Sequence, residues 1–327
     1  MYVGTQYFGT SKLEMEFLTR HGVTHFDATV NGYDTDTLTR HKEEAAEHGV
    51  ELEMVHIPWQ ESIGLAGPDR DRDIDTVCGW IENAKKAGLR GLNYNFCILR
   101  ADDAGGLVQR TGRRPGRGGT TYSSFVLSDY RNEARYAAGE VSREESFERA
   151  AYFLERVIPV AESNKIQMAC HLNDPPAPVL NGVEKWNWPV FEGLKRFSEL
   201  VDSPYHGFNF CCGVASEGLE NPAEELPPIV KYFTERKKIF NVHFRNIRGG
   251  LHDFCETWPD EGDVNMCGLV KTFHDAGYAY MLMPDHAPLH PDDAAPEGVS
   301  RRVSQAWAFQ LGYIIALIQA VENGARA

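Results

Sequence analysis

Short apolar runs alternate with longer amphipathic ones along all 327 residues, and this alternation constrains the fold more than any other feature. Eight runs read as strands: 2–7, 23–28, 50–57, 89–96, 165–172, 207–212, 239–245 and 279–283. Between and after them, helical spacing recurs at 13–19, 34–48, 74–87, from Ser142 onward, within 188–200, and at 224–234, 264–276 and 301–321. Ser142 and Glu145 have the spacing of a capping box, and Phe147, Ala150, Leu154 and Val157 follow as one apolar stripe. A doubly wound sheet fits the alternation, but no Gly-rich dinucleotide fingerprint follows an early strand. An eight-stranded α/β barrel, the TIM (β/α)8 arrangement, accommodates the repetition in one domain over 1–327 without a linker.

Residues 100–140 interrupt the rhythm after the fourth strand. Glycines repeat there, Arg110, Arg113, Arg114 and Arg117 cluster, and Thr120, Thr121 and Tyr122 follow. A connection of this length reads either as a lid or binding loop over an active site or as a solvent-facing insertion.

The chain carries 33 basic and 47 acidic residues, a net charge of −14. That balance argues against a duplex nucleic acid or an anionic membrane as partner, while leaving room for a basic pocket that takes a small anion. No apolar run approaches the roughly 20 residues that span a bilayer; the longest, 313–321, is broken by Gln319. No basic segment followed by an apolar stretch opens the chain, so secretion is not expected. Seven cysteines fit core thiols or metal ligands in a reducing compartment better than a disulfide scaffold, and a cytoplasmic location is expected.

The chemistry is concentrated where the last four strands end. Met168-Ala169-Cys170-His171 finishes in an imidazole, Phe208-Asn209-Phe210-Cys211-Cys212 in thiols, Val242-His243-Phe244-Arg245 in an imidazole and a guanidinium, and Met283-Pro284-Asp285-His286 in a carboxylate and an imidazole. In a barrel these endings lie side by side around one mouth. His171, Cys211, His243 and Asp285 therefore form a candidate site for a divalent transition metal. Thiolate disfavours magnesium and calcium; zinc, iron(II), manganese(II) and cobalt(II) stay open. Each residue also has a plain structural role, as a buried thiol or a hydrogen-bonded wall imidazole. Strand periodicity sends His243 and Arg245 to one face, where Arg245 can meet an anionic substrate. Asp285 and His286 allow one side chain to hold metal and the other to move protons. Asn93 and Asn95 share a strand face. No C-x-x-C pair, P-loop or G-x-S-x-G elbow is present.

These strand ends resemble the mannonate dehydratase family. The resemblance rests on Asn93-Tyr94-Asn95-Phe96, His171-Leu172-Asn173-Asp174-Pro175-Pro176, Gly207-Phe208-Asn209-Phe210-Cys211, Val242-His243-Phe244-Arg245-Asn246 and Pro284-Asp285-His286, in family order. It implies a xylose-isomerase-like TIM barrel using manganese or iron(II), and dehydration of D-mannonate to 2-keto-3-deoxy-D-gluconate in hexuronate catabolism. It further implies His171, Cys211, His243 and Asp285 as metal ligands, His286 as the acid/base group, and Arg245 and Asn95 as substrate contacts. Met283 stands where the family has arginine, and 298–300 lacks the family's tyrosine. A metal-dependent sugar isomerase or epimerase is the second reading, and a non-catalytic sugar-acid-binding barrel the third. The partner expected in each case is a small sugar acid or sugar; a homo-oligomer stays open.

Overall fold

The computed structural model describes residues 1–98, 109–130, 133, 136–293, 297 and 299–324. The chain forms β1 (Tyr2–Phe8), α1 (Lys12–Arg20), β2 (His25–Ala28), α2 (Thr35–Ala46), β3 (Glu51–His56), α3 (Glu61–Leu65), α4 (Arg70–Lys86) and β4 (Gly91–Asn95). After β5 (Gly112–Pro115) and β6 (Thr121–Val126) come α5 (Arg143–Asn164), β7 (Gln167–His171), the short pair β8 (Val179–Leu180) and β9 (Val183–Glu184), and α6 (Val190–Glu199). Next are β10 (His206–Cys211), α7 (Cys212–Glu217), α8 (Pro222–Glu235), β11 (Ile239–His243), β12 (Ile247–Gly250) and β13 (Asp253–Glu256). Then α9 (Met266–Asp275), β14 (Met281–Met283) and α10 (Gln305–Glu322) complete the elements.

The expected TIM barrel is present. Eight parallel strands close in the order β1-β2-β3-β4-β7-β10-β11-β14, so each barrel strand lies beside the next one along the chain. The eight expected strands match it, with ends displaced by a few residues. Phe96, Phe153, Phe197, Phe208 and Phe233 are almost wholly buried in the main hydrophobic core.

Local chemistry sets the turns that bring the chain back. Ser142 caps α5 in the expected capping box with Glu145. At the other ends of the helices one device repeats: a left-handed residue after the last turn, then an N–H bonding back five residues. Val23 N reaches Leu18 O at 3.0 Å past Gly22 (φ 74°), and Leu89 N reaches Ala84 O at 3.0 Å past Gly88 (φ 73°). Lys165 takes the same conformation (φ 57°) before Ile166 N bonds Ala161 O at 2.9 Å. Each turn delivers the chain to the start of the following strand.

Beyond the barrel, β12-β13-β6-β5 form an antiparallel four-stranded sheet. The sheet was not expected, because two of its strands come from the 100–140 segment, which the sequence reads as loop. Residues 99–108, 131–132 and 134–135 lie outside the described residues. Thr121 exchanges backbone hydrogen bonds with Leu289 at 3.0 and 2.9 Å, joining β6 to the segment after β14. No helix among the described residues is long and apolar enough to cross a membrane.

Candidate metal centre

Register places the donors. In the barrel Asn95 pairs with His171 and His171 with Asn209, while Cys211 pairs with His243 and His243 with Met283. Asp285 follows two residues after β14 ends. The ligand atoms of His171, Cys211, His243 and Asp285 consequently all lie within 4.8 Å of one another. His171 Nε2 is 3.1 Å from His243 Nδ1, which is 3.3 Å from Asp285 Oδ1; the Cys211 sulfur is 3.4 Å from Asp285 Oδ2.

The surroundings orient this set. Asn209 sits 2.9 Å from Nε2 of His243, fixing the ring with Nδ1 turned to the cluster. Gln6 donates to Asp285 Oδ1 at 2.9 Å, and Val214 N–H donates to the Cys211 sulfur at 3.3 Å. Burial pushes the His243 and His171 imidazoles down from their ordinary value, favouring the neutral, ligating form. For Asp285 burial acts the other way, but the His286 and Arg245 charges outweigh it and hold the carboxyl well below the usual range. Burial pushes the Cys211 thiol well up, with Arg245 opposing. Two neutral imidazoles, a carboxylate and a thiol that a cation can deprotonate fit a divalent transition metal.

His286 points to a second group. Its Nδ1 is 2.8 Å from Glu256 Oε1 and 3.0 Å from Arg245 NH1. Burial lowers its affinity for protons, but Asp285 and Glu256 raise it further, and the net direction is upward. Asp174, Glu256 and His286 also bring their ligand atoms within 4.8 Å of one another. Two guanidiniums occupy that neighbourhood. Arg110 binds Asp174 Oδ1 at 2.5 Å, Glu217 at 3.0 Å, and Glu256. Arg245 meets Asp174 and Glu217 at 3.1 Å each, Asp285 at 3.2 Å, and Glu256. This is an ion-pair network in which two guanidiniums are shared among four carboxylates, Asp174, Glu217, Glu256 and Asp285.

Arg245 sits beyond the end of β11, not within the strand as expected, and is only 2% exposed. Its guanidinium faces protein groups, four carboxylates together with His286 and the Cys211 sulfur. Gly213 makes the approach possible, since a Cβ there would lie 2.4 Å from Arg245 Nε. Asn95, beside His171, has Nδ2 3.1 Å from Nε2 of His56, placing His56 at the same mouth. Tyr122, from the insertion, is 3% exposed and its hydroxyl binds Glu261.

A cavity of about 480 Å³ opens beside Asp285 and His286, with Arg110, Ser123, Glu256 and Arg302 also in its wall. Sequence reasoning missed Arg110, Asp174, Glu217 and Arg302. Asp174 stood in a quoted motif, whereas Arg110 and Arg302 carry no local pattern and are revealed only by the long-range packing.

The sequence pattern of the D-mannonate dehydratase (UxuA) family matches residues 127–327. A mannonate dehydratase from Shouchella clausii is 30% identical over 75% of this chain and 75% of its own length. One from Thermotoga petrophila is 29% identical, covering 88% of this chain and 86% of that protein. Among solved structures, mannonate dehydratase from Streptococcus suis serotype 2 superposes with a TM-score of 0.83 at 23% identity, over 99% of this chain and 96% of that one. D-psicose 3-epimerase from Clostridium cellulolyticum H10 gives 0.60 at 11% identity over the whole of both chains. Xylose isomerase domain proteins share the same topology, so the barrel is xylose-isomerase-like. By the family match over more than half its length, the chain belongs to the D-mannonate dehydratase family.

Proposed function

We propose that this protein is a metal-dependent sugar-acid dehydratase that removes water from an aldonate of the D-mannonate type to give a 2-keto-3-deoxy acid. Family membership and the clustered His/Cys/Asp donors support a metal-dependent sugar-acid-processing enzyme with lyase-like chemistry. The observation that carries the finer reading is the adjacency of Asp285 and His286. One faces three other donor groups, while the next faces Glu256 at the cavity wall.

In this reading His171, Cys211, His243 and Asp285 hold the cation, manganese(II) or iron(II) by family, with zinc and cobalt(II) compatible with the donor set. When bound, the cation supplies Lewis-acid stabilisation of the negative charge that develops beside the substrate carboxylate. His286 moves the proton: Glu256 orients its Nδ1, leaving Nε2 for the substrate. Arg245 and Asn95 act from the mouth, Arg245 by fixing the carboxylates of Asp285 and Glu256 and Asn95 by facing the sugar. Ser123 brings the 100–140 segment into the cavity wall, and we assign that segment the role of a lid over the one domain.

The second reading, a sugar isomerase or epimerase, draws on the fold shared with the D-psicose 3-epimerase. Incubation of manganese(II)-loaded protein with a panel of aldonates and ketoses separates the two. A 2-keto-3-deoxy product supports dehydration; sugar interconversion without it supports the alternative, and no metal-dependent turnover counts against both.

A further inference from the structure

Two arginines of the cavity wall, Arg301 and Arg302, have no ion-pair partner among the described residues, and Arg301 is exposed to solvent. Arg302 is half-buried, and among the described residues it forms no ion pair. Its Nε is buried without a hydrogen-bond partner. Arg110, in the same wall, and Arg245, beside His286, are instead paired with carboxylates.

The placement of Arg302 is built, not incidental. Its guanidinium carbon lies 4.5 Å from the Tyr7 ring centroid and 5.0 Å from that of Trp307, so two aromatic faces hold the plane. Trp307 is anchored by its Nε1–H donating to Thr5 Oγ1 at 2.9 Å. Tyr7 is held in the left-handed region (φ 59°) where β1 breaks register with β2. Ser300 ties the two together: its hydroxyl donates to Tyr7 O at 3.1 Å and accepts from Arg302 N–H at 3.3 Å. The carboxylates nearby are engaged elsewhere. Asp293 accepts from Gln305 N and Ala306 N at 2.7 and 3.2 Å, and Asp285 from Gln6 at 2.9 Å. Burial lowers the pKa of Arg302, with Tyr7 and Asp285 opposing, yet a guanidinium stays charged at any working pH.

We propose that Arg302 is the residue that binds the substrate's carboxylate and so selects sugar acids over neutral sugars at this cavity. The inference rests on the sugar-acid reading above and names its specificity element. A planar guanidinium clamped between rings offers paired N–H groups to a planar carboxylate, and the desolvated surroundings strengthen the contact.

Calorimetric titration of manganese(II)-loaded protein with D-mannonate, D-mannose and D-mannose 6-phosphate tests this without relying on turnover. Arg302→Gln should weaken aldonate binding about 10- to 100-fold, change aldose binding less than about twofold, and leave metal content unaltered. Arg302→Lys should recover part of the loss, which a general folding defect would not. Equal weakening for aldonate and aldose, no change for either, or wild-type protein holding the aldonate no better than the aldose overturns the assignment. Tighter wild-type binding of the sugar phosphate than of the aldonate overturns the carboxylate specificity. If Arg302-dependent aldonate binding occurs without loss of water, the dehydratase reading falls and the Arg302 assignment stands. Water loss with undiminished aldonate affinity in Arg302→Gln has the reverse meaning.

Discussion

The Cys211 sulfur lies 3.4 Å from Oδ2 of Asp285, although β11 separates β10, which ends at Cys211, from β14, which ends two residues before Asp285. The neutral thiol donates to the ionised carboxylate at that separation, but ionising the thiol as well would set two negative charges together in a dry site. A divalent cation reverses the balance by deprotonating the thiol and compensating both charges.

Metal binding should therefore depend on this pair and its imidazole neighbours. His171→Ala and Cys211→Ala are expected to lower bound metal at least about tenfold after dialysis, measured by elemental analysis. Chelation should reduce the thermal midpoint of the wild type and leave both variants nearly unmoved, because stabilisation by a ligand requires that it bind. A variant that retains full metal stoichiometry would remove its residue from the ligand set.

His286 should separate from the ligands in the same assays. His286→Ala is expected to keep metal content within about twofold while lowering kcat about 10²- to 10⁴-fold on the aldonate that the wild type dehydrates. Loss of metal in step with activity would place His286 among the ligands instead.

Much of this centre was legible in the sequence because barrel topology turns a strand-end position into a spatial one. His171, Cys211, His243 and Asp285 each end or follow a strand, and parallel register converts four distant sites into one rim. The role of Arg245 was less legible. Alternation gives its side, but nothing local announces that Asp174, Glu217, Glu256 and Asp285 converge on it. Strands β5 and β6 were missed for a related reason: Gly112–Pro115 is exposed and lacks apolar alternation, and its pairing comes from β6. Arg302 depends on Tyr7 and Trp307, contributed by opposite ends of the chain.

Arg110 should be a stability residue. It joins the segment after β4 to three buried carboxylates, and Arg110→Met leaves Asp174, Glu217 and Glu256 with Arg245 as their remaining guanidinium. Breaking one partner out of a buried ion network costs about 3–5 kcal/mol. Urea unfolding should show a loss of unfolding free energy of that size, and a loss below about 1 kcal/mol would mean that the carboxylates take up protons or solvent without penalty.

Asp27 provides a test of pH dependence away from the metal ligands. It is fully buried on β2, accepts from Asn93 through Oδ2, and has no partner for Oδ1. Burial raises its pKa from 3.8 to about 7, against the opposing effects of Asn93 and Arg90. Between those values the folded state retains a proton that the unfolded chain has released, so this group's contribution to stability falls as pH rises and levels off above the folded value. Asp27→Asn keeps the shape and removes the titration. In chelator-treated protein, the stability difference between variant and wild type should grow in the variant's favour from pH 4 to pH 8, with a ceiling of about 4 kcal/mol. Parallel curves across that range would show that Asp27 keeps its charge at no cost inside the barrel.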